Sequence, residues 1–222
     1  MMKVPCYLTF DDGPFQNTSN ILNILQATGV KATFFLTAKN MERSPKQQYL
    51  LVKRMIDEGH ALGNHGYDHD PATRRGYKSS TTSEVKKDFL DNHDKFVTLF
   101  SKHKGKFTGF TCARLPGDGR FMHEYVAMIA NEIKLPHVGW NVEFSTNGLM
   151  GHLKHKDWQG IKGVAGSRDT FPASTNIILM HDRHWRGKDI VLTGLIKQLK
   201  KNVIFQTLTP VPSGHSVIKY PK

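Results

Sequence analysis

The spacing of apolar positions along this chain switches repeatedly between strand and helix periods. Residues 5–10 form a short apolar run of strand type, followed by Asn17-Thr18-Ser19-Asn20, which offers helix caps. Ile21, Leu22, Ile24 and Leu25 then fall on one helical face, and Gly29 ends that helix. A second strand is expected at 32–36. Ser44-Pro45 supplies an N-cap and a first-turn proline to a helix that carries Leu50, Leu51, Met55 and Ile56 and stops at Gly59. A third strand follows at 61–64. Ser83 stands where it would cap a helix bearing Val85, Phe89, Phe96 and Phe100, ahead of a fourth strand at 108–113 and a helix at 121–134. Three more strands are expected at 137–141, 176–180 and 203–208, with an amphipathic helix at 189–202 between the last two.

Seven strands alternating with helices imply right-handed βαβ units and a parallel sheet. In a chain of this length they close into a barrel more readily than they lie flat. The expectation is therefore an α/β fold, a (β/α) barrel of about seven parallel strands. There is no internal repeat and no linker, so residues 1–222 read as one domain. The irregular stretches 70–82 and 144–175 are expected to be surface excursions, the second long enough to cover a site.

Composition agrees with a folded chain: 38% of residues are hydrophobic and 13 are Phe, enough for one large core and too many for intrinsic disorder. No apolar run approaches the roughly 18 residues that would span a bilayer. Cys6 and Cys112 cannot form a disulfide framework, have no C-x-x-C partner, and are expected to be buried thiols. The start of the chain reaches a strand almost at once, which leaves no room for the charged start and apolar stretch of a secretory signal. Charge narrows the partners. With 31 Lys+Arg against 19 Asp+Glu the net charge is +12, favouring nucleic acid, an acidic cell-wall polymer or an anionic membrane face, unless the basic surface is simply solvated. No basic helix or aromatic stacking platform reads as a nucleic-acid motif, and a monomer is expected.

The polar residues with chemical potential are not scattered. Asp11-Asp12 follows strand one, His65 and His69 follow strand three, Arg114 follows strand four, Glu143 follows strand five and His181 follows strand six. In a parallel barrel those strand ends share one face, where active sites are built. His65-x-x-x-His69 puts two imidazoles on one side of a helical turn. With the Asp12 carboxylate they make an N/O set suited to zinc or another divalent transition ion, leaving positions for water and substrate. A turn with one capping Asp before Gly13-Pro14 would explain one of the two carboxylates but not both.

Thr9-Phe10-Asp11-Asp12-Gly13-Pro14 followed by His65-x-x-x-His69 resembles the polysaccharide deacetylases of the NodB-homology group, carbohydrate esterase family four. Further motifs recur in order up to about residue 205: Arg114-Leu115-Pro116-Gly117, Trp140-Asn141-Val142-Glu143 and Leu179-Met180-His181. The resemblance implies a distorted (β/α) barrel with fewer than eight complete strands and a metal-dependent enzyme that removes N-acetyl groups from a glycan. Peptidoglycan is expected ahead of chitin because the basic surface suits a polymer bearing carboxylates or phosphates; xylan is a weaker branch of the same chemistry.

By the same resemblance Asp12, His65 and His69 hold one divalent ion, zinc first, with cobalt, nickel, manganese or iron(II) as alternatives. Asp11 is the general base and His181 the general acid. Arg114 keeps Asp11 ionised and oriented. Leu179, Pro116, Gly117 and Trp140 line the substrate site, although Leu179 reads equally as the end of a buried strand. Such substrates lie outside the cytoplasm, so action at the cell wall or in the periplasm is expected, by a route this chain does not display or from a trimmed chain.

Three departures from the family pattern matter. Gly66 replaces the usual hydroxyl residue after the first His, which predicts a looser metal loop. Gly117-Asp118-Gly119 lacks the usual aromatic. Glu143 is the only acid in the fourth motif; pairing with His181 would raise the imidazole pKa, and Asp182 is the next acid able to do so. Residues 144–175 add Asp157-Trp158, His152, His155, Lys154, Lys156, Lys162 and Arg168, whose ordinary reading is solvated loop, as it is for His184. Two other classes stay open. One is a mononuclear iron oxygenase using the two-His-one-carboxylate set, which leaves Asp11, Arg114 and His181 unexplained. The other is an inactive barrel that binds glycan or nucleic acid.

Overall fold

The computed structural model describes residues 3–68, 80–117, 123–140, 142–143 and 176–209. Strand β1 (Val4–Gly13) is central to a seven-stranded sheet with β2 (Thr33–Leu36), β3 (Ala61–Asn64), β4 (Cys112–Ala113), β5 (Val142–Glu143), β6 (Asn176–His181) and β7 (Val203–Gln206). Every pairing is parallel. The order is β4-β3-β2-β1-β6-β5, and β7 pairs with Val4 to Tyr7 of β1. Helices α1 (Thr18–Thr28), α2 (Pro45–Asp57), α3 (Thr82–Lys102), α4 (His123–Met128) and α5 (Asp189–Leu199) fill the crossovers that parallel strands require.

Alternation along β1 divides the core. Leu8 and Phe10 point outward to join Phe34, Leu25, Val52, Met55 and Leu192 between sheet and helices, whereas Tyr7 joins Phe35, Cys112, Val138, Ile177 and Leu208 on the inner side. Buried on both faces, this strand reads in sequence as an apolar run broken only by Thr9 before the two aspartates, and burying a side chain such as Phe10 stabilises the fold by about 1.5–3 kcal/mol. The inner face is tight at Gly63, where an added Cβ would lie 2.3 Å from Phe35 Cδ1. Only glycine lets that ring lie across β3.

The sheet's two outer strands are approached by the same piece of chain. His137 bridges to Ala113 beside β4, and five residues later Val142 pairs with Ile178 of β6. The fifth strand, expected at 137–141, therefore lies at Val142–Glu143 instead. The physical reason is that the carbonyls of Val138 and Gly139 accept from the Arg114 guanidinium rather than from a strand neighbour. The fourth strand is shorter than expected, at Cys112–Ala113. The cap of α3 also differs: Thr81, not Ser83, forms a reciprocal capping box with Glu84. At α1, Asn17 occupies the N-cap position without capping, because its side-chain amide donates to the Asp182 carbonyl.

Cys6 and Cys112 are buried and free, as expected. Among the described residues no helix is long and apolar enough to cross a membrane.

Candidate active site

Neighbouring residues of a strand point to opposite faces, so Asp11 and Asp12 would not ordinarily act together. Here the register of β1 against β2 slips between Asp11 and Gly13, and Asp12 adopts φ 68°, in the left-handed region that Asp tolerates better than most residues. This bulge brings both carboxylates to one imidazole: His65 Nε2 lies 3.6 Å from Asp11 Oδ2 and 3.4 Å from Asp12 Oδ1. The Asp12 carbonyl accepts from Asn40 Nδ2 at 2.5 Å, which ties the bulge to the segment after β2.

His65 follows β3 and is buried. Its Nδ1 lies 2.8 Å from the backbone carbonyl of Arg114, a group that only accepts, so Nδ1 carries a proton and Nε2 faces the carboxylates. Burial opposes a charged ring, yet the Asp11 and Asp12 carboxylates and the Arg114 carbonyl together hold the His65 pKa above its ordinary value. The loop after His65 is braced without a hydroxyl. Gly66 has φ 76° and donates its N–H to Asn64 Oδ1, while Asp88 of α3 accepts the N–H groups of Tyr67 and Asp68. The looseness expected from Gly66 is thus answered by α3, and the left-handed backbone is a reason for glycine there.

Arg114 is fully buried inside the barrel. Its Nη1 donates to Asp11 Oδ1 at 2.7 Å and to Thr9 Oγ1 at 2.8 Å, Nε donates to the Val138 carbonyl at 3.0 Å, and Nη2 to that of Gly139 at 2.9 Å. The Phe35 ring centre lies 4.0 Å from the guanidinium carbon and the Trp140 ring 5.6 Å away. A buried guanidinium is tolerable only with such complete pairing. Pro116 is buried and Gly117 exposed with φ 78°. The preceding Leu115 N–H donates to His137 Nε2, an imidazole that burial and Arg114 push down to about 3.

From the other side, β6 sets His181 beside Asp11 in register, and His181 Nε2 lies 4.0 Å from Asp12 Oδ2. Burial lowers the His181 pKa; Asp11 and Asp12 pull it up, but Arg183 and His65 add to the downward push. These surroundings act opposite to the rise expected from Glu143. Glu143 pairs through its backbone with Leu179, and its side chain lies outside the described residues. Leu179 is buried in β6. Asp182 is buried behind the site, accepts from Thr18 Oγ1, and has its carboxyl pushed up to about 7 chiefly by burial.

The structure therefore gathers Asp11, Asp12, His65, Arg114 and His181 at one end of the sheet, with Trp140 against Arg114. His69, Asp118, Gly119 and the loop candidates at 144–175 lie outside the described residues. Among the described residues no three His, Cys, Asp or Glu side chains form a metal-holding group by themselves. Two expected donors, Asp12 Oδ1 and His65 Nε2, do face one another, and this carboxylate-imidazole set fits a zinc-like ion.

Sequence reading missed Thr9, Asn40, Asn64, Asp88 and Arg183. The last ion-pairs with the Asp12 carboxylate. Only Thr9, inside the first motif, had a positional clue.

The polysaccharide deacetylase family model matches residues 2–112, half of the chain. The chain belongs to the polysaccharide deacetylase family. It is 30% identical over 217 residues to a peptidoglycan-N-acetylglucosamine deacetylase of Bacillus cereus, covering 93% of this chain and 67% of that protein. It is 29% identical over 205 residues to peptidoglycan-N-acetylglucosamine deacetylase PgdA of Listeria monocytogenes, covering 90% of this chain but 37% of that protein. This polysaccharide deacetylase domain also resembles the crystal structure of the Bc1960 peptidoglycan N-acetylglucosamine deacetylase, with a TM-score of 0.68 at 30% identity over 93% of this chain and 86% of that one. The likeness extends the distorted (β/α) barrel reading to the whole sheet.

Proposed function

We propose that this polysaccharide deacetylase is a metal-dependent hydrolase that removes N-acetyl groups from peptidoglycan, in preference to chitin oligomers, outside the cytoplasm. The observation that carries the reading is the meeting of Asp11, Asp12 and His65 within 3.6 Å, with Arg114 on one side and His181 on the other. The relatives in Bacillus and Listeria, both named for peptidoglycan, support the substrate.

Asp12, His65 and His69 would hold the ion, zinc by preference. Such an ion, when bound, acidifies water and polarises the amide oxygen. Asp11 takes the proton of the attacking water, its carboxylate fixed in direction by Arg114 Nη1 and its charge balanced by the guanidinium. His181, across the site, delivers a proton to the departing nitrogen. A lowered pKa makes the protonated ring a stronger donor once it has acquired its proton. Leu179, Pro116, Gly117 and Trp140 line the approach for the N-acetyl sugar. An iron oxygenase would leave Arg114 and His181 without a task.

Acetate release from peptidoglycan and from chitin oligomers, with product masses, tests the reading. Asp11→Asn should retain metal, counted by elemental analysis, while kcat falls by about 10²–10⁴. His65→Ala should lose metal and activity together. Full turnover in a metal-free preparation would refute metal dependence, and no acetate from any glycan would leave a binding module as the better account.

A further inference from the structure

Beside the catalytic carboxylates lies a cavity of about 350 Å³ between the segment after β1, the start of α2 and the turn after β6. Its described lining includes Arg43, Arg183 and Arg186 and holds no Asp or Glu. Arg43 and Arg186 are exposed, and neither has an acidic partner among the described residues. The positive end of α2 adds to this field, because Ser44 lines the cavity at the N-cap position and makes no capping bond. Gln48 supplies an independent observation. It is 93% buried against the cavity, and its Oε1 has no hydrogen-bond partner among the described residues, which costs free energy unless a donor is brought to it.

We propose that this cavity binds a carboxylate on a glycan unit flanking the sugar to be deacetylated, through Arg43 and Arg186, with Arg183, held by Asp12, at its inner edge and an N–H or hydroxyl beside that carboxylate donating to Gln48. The proposal rests on the deacetylase reading and names the substrate feature that the site selects. Guanidinium forks match planar carboxylates in bidentate fashion, and Arg43 and Arg186, with no acidic partner among the described residues, make an anion site by charge. The cavity shares a wall with the catalytic residues: Arg183 ion-pairs with the Asp12 carboxylate and Asn40 Nδ2 holds the Asp12 carbonyl. One glycan chain can therefore occupy both. A neutral chitin chain can offer Arg43 and Arg186 only uncharged acceptors, which bind a guanidinium more weakly than a carboxylate does.

Equilibrium binding reads the proposal without turnover. Wild-type protein is titrated at low salt with N-acetylmuramic acid, with its neutral methyl ester, and with a phosphorylated N-acetylglucosamine. The free acid should bind about tenfold or more tighter than the ester, and the advantage should shrink as salt screens the charges. The double variant Arg43→Gln/Arg186→Gln, its fold checked by circular dichroism, should bind acid and ester alike. Equal affinity for acid and ester in the wild type would overturn the proposal, and a response confined to the phosphorylated sugar would overturn the carboxylate assignment. Acetate release, measured separately, decides the deacetylase reading, so a failure of either is seen on its own.

Discussion

Arg114 and Asp182 carry opposite burdens at the same end of the barrel. Arg114 makes four hydrogen bonds with one rigid group, three of them to Thr9, Val138 and Gly139 and one to Asp11. Arg114→Lys keeps the charge but gathers its donors on one nitrogen that cannot reach all four acceptors. A stability loss of about 1–3 kcal/mol is expected from urea unfolding, the range for leaving buried acceptors unpaired. Asp182 is buried, its Oδ1 has no hydrogen-bond partner among the described residues, and burial pushes its carboxyl up to about 7. Below about pH 4 it is protonated both folded and unfolded, so it contributes no pH dependence. As pH rises toward 7 the unfolded chain releases a proton that the folded chain keeps, and stability falls. Asp182→Asn should remove this slope. Unfolding at about pH 5 and about pH 8 should show the variant gaining on the order of 2–3 kcal/mol relative to wild type over that interval.

Among the elements, α3 does more for the site than its distance in sequence suggests. Its Asp88 accepts two N–H groups of the loop after His65, and its Asn92 donates to Asn64 and to the Leu36 carbonyl. The helix begins at a capping box between Thr81 and Glu84. Thr81→Ala should cost about 1 kcal/mol and lower Tm by about 2–4 °C, while Ser83→Ala, at an exposed position inside the helix, should change Tm far less. Equal effects in the two would return the cap to Ser83.

For the molecule as a whole, strand order separates groups that composition might have paired. Cys6 on β1 and Cys112 on β4 are three strand spacings apart, about 14 Å along the sheet, beyond disulfide reach. Burial pushes the Cys112 thiol up to about 12 and the Cys6 thiol up further, so neither is a thiolate near neutral pH. A thiol reagent should find almost no reactive sulfur in the native protein and two after denaturation. The net charge of +12 belongs to this scale too, since the field it creates acts over the whole surface and favours anionic partners.

The sequence by itself determined the α/β class, the parallel strands and the polar residues at their ends. Those features are written in local periodicity and in short motifs, where each residue's neighbours lie within a few positions. Asp11, Asp12, His65, Arg114 and His181 were legible in that way. Only the tertiary structure decided how they act together. Strict alternation would part Asp11 from Asp12, and the slip in register against β2 that brings both to His65 depends on a strand more than twenty residues away. The fifth strand moved to Val142–Glu143 because Arg114, reaching across from β4, takes the carbonyls of Val138 and Gly139. The arginines at 43, 183 and 186 are unremarked in sequence, since nothing local predicts that folding will bring them around one cavity. Hydrogen bonds and charges that join distant segments carry no period along the chain, so they become visible only once the barrel has brought those segments together.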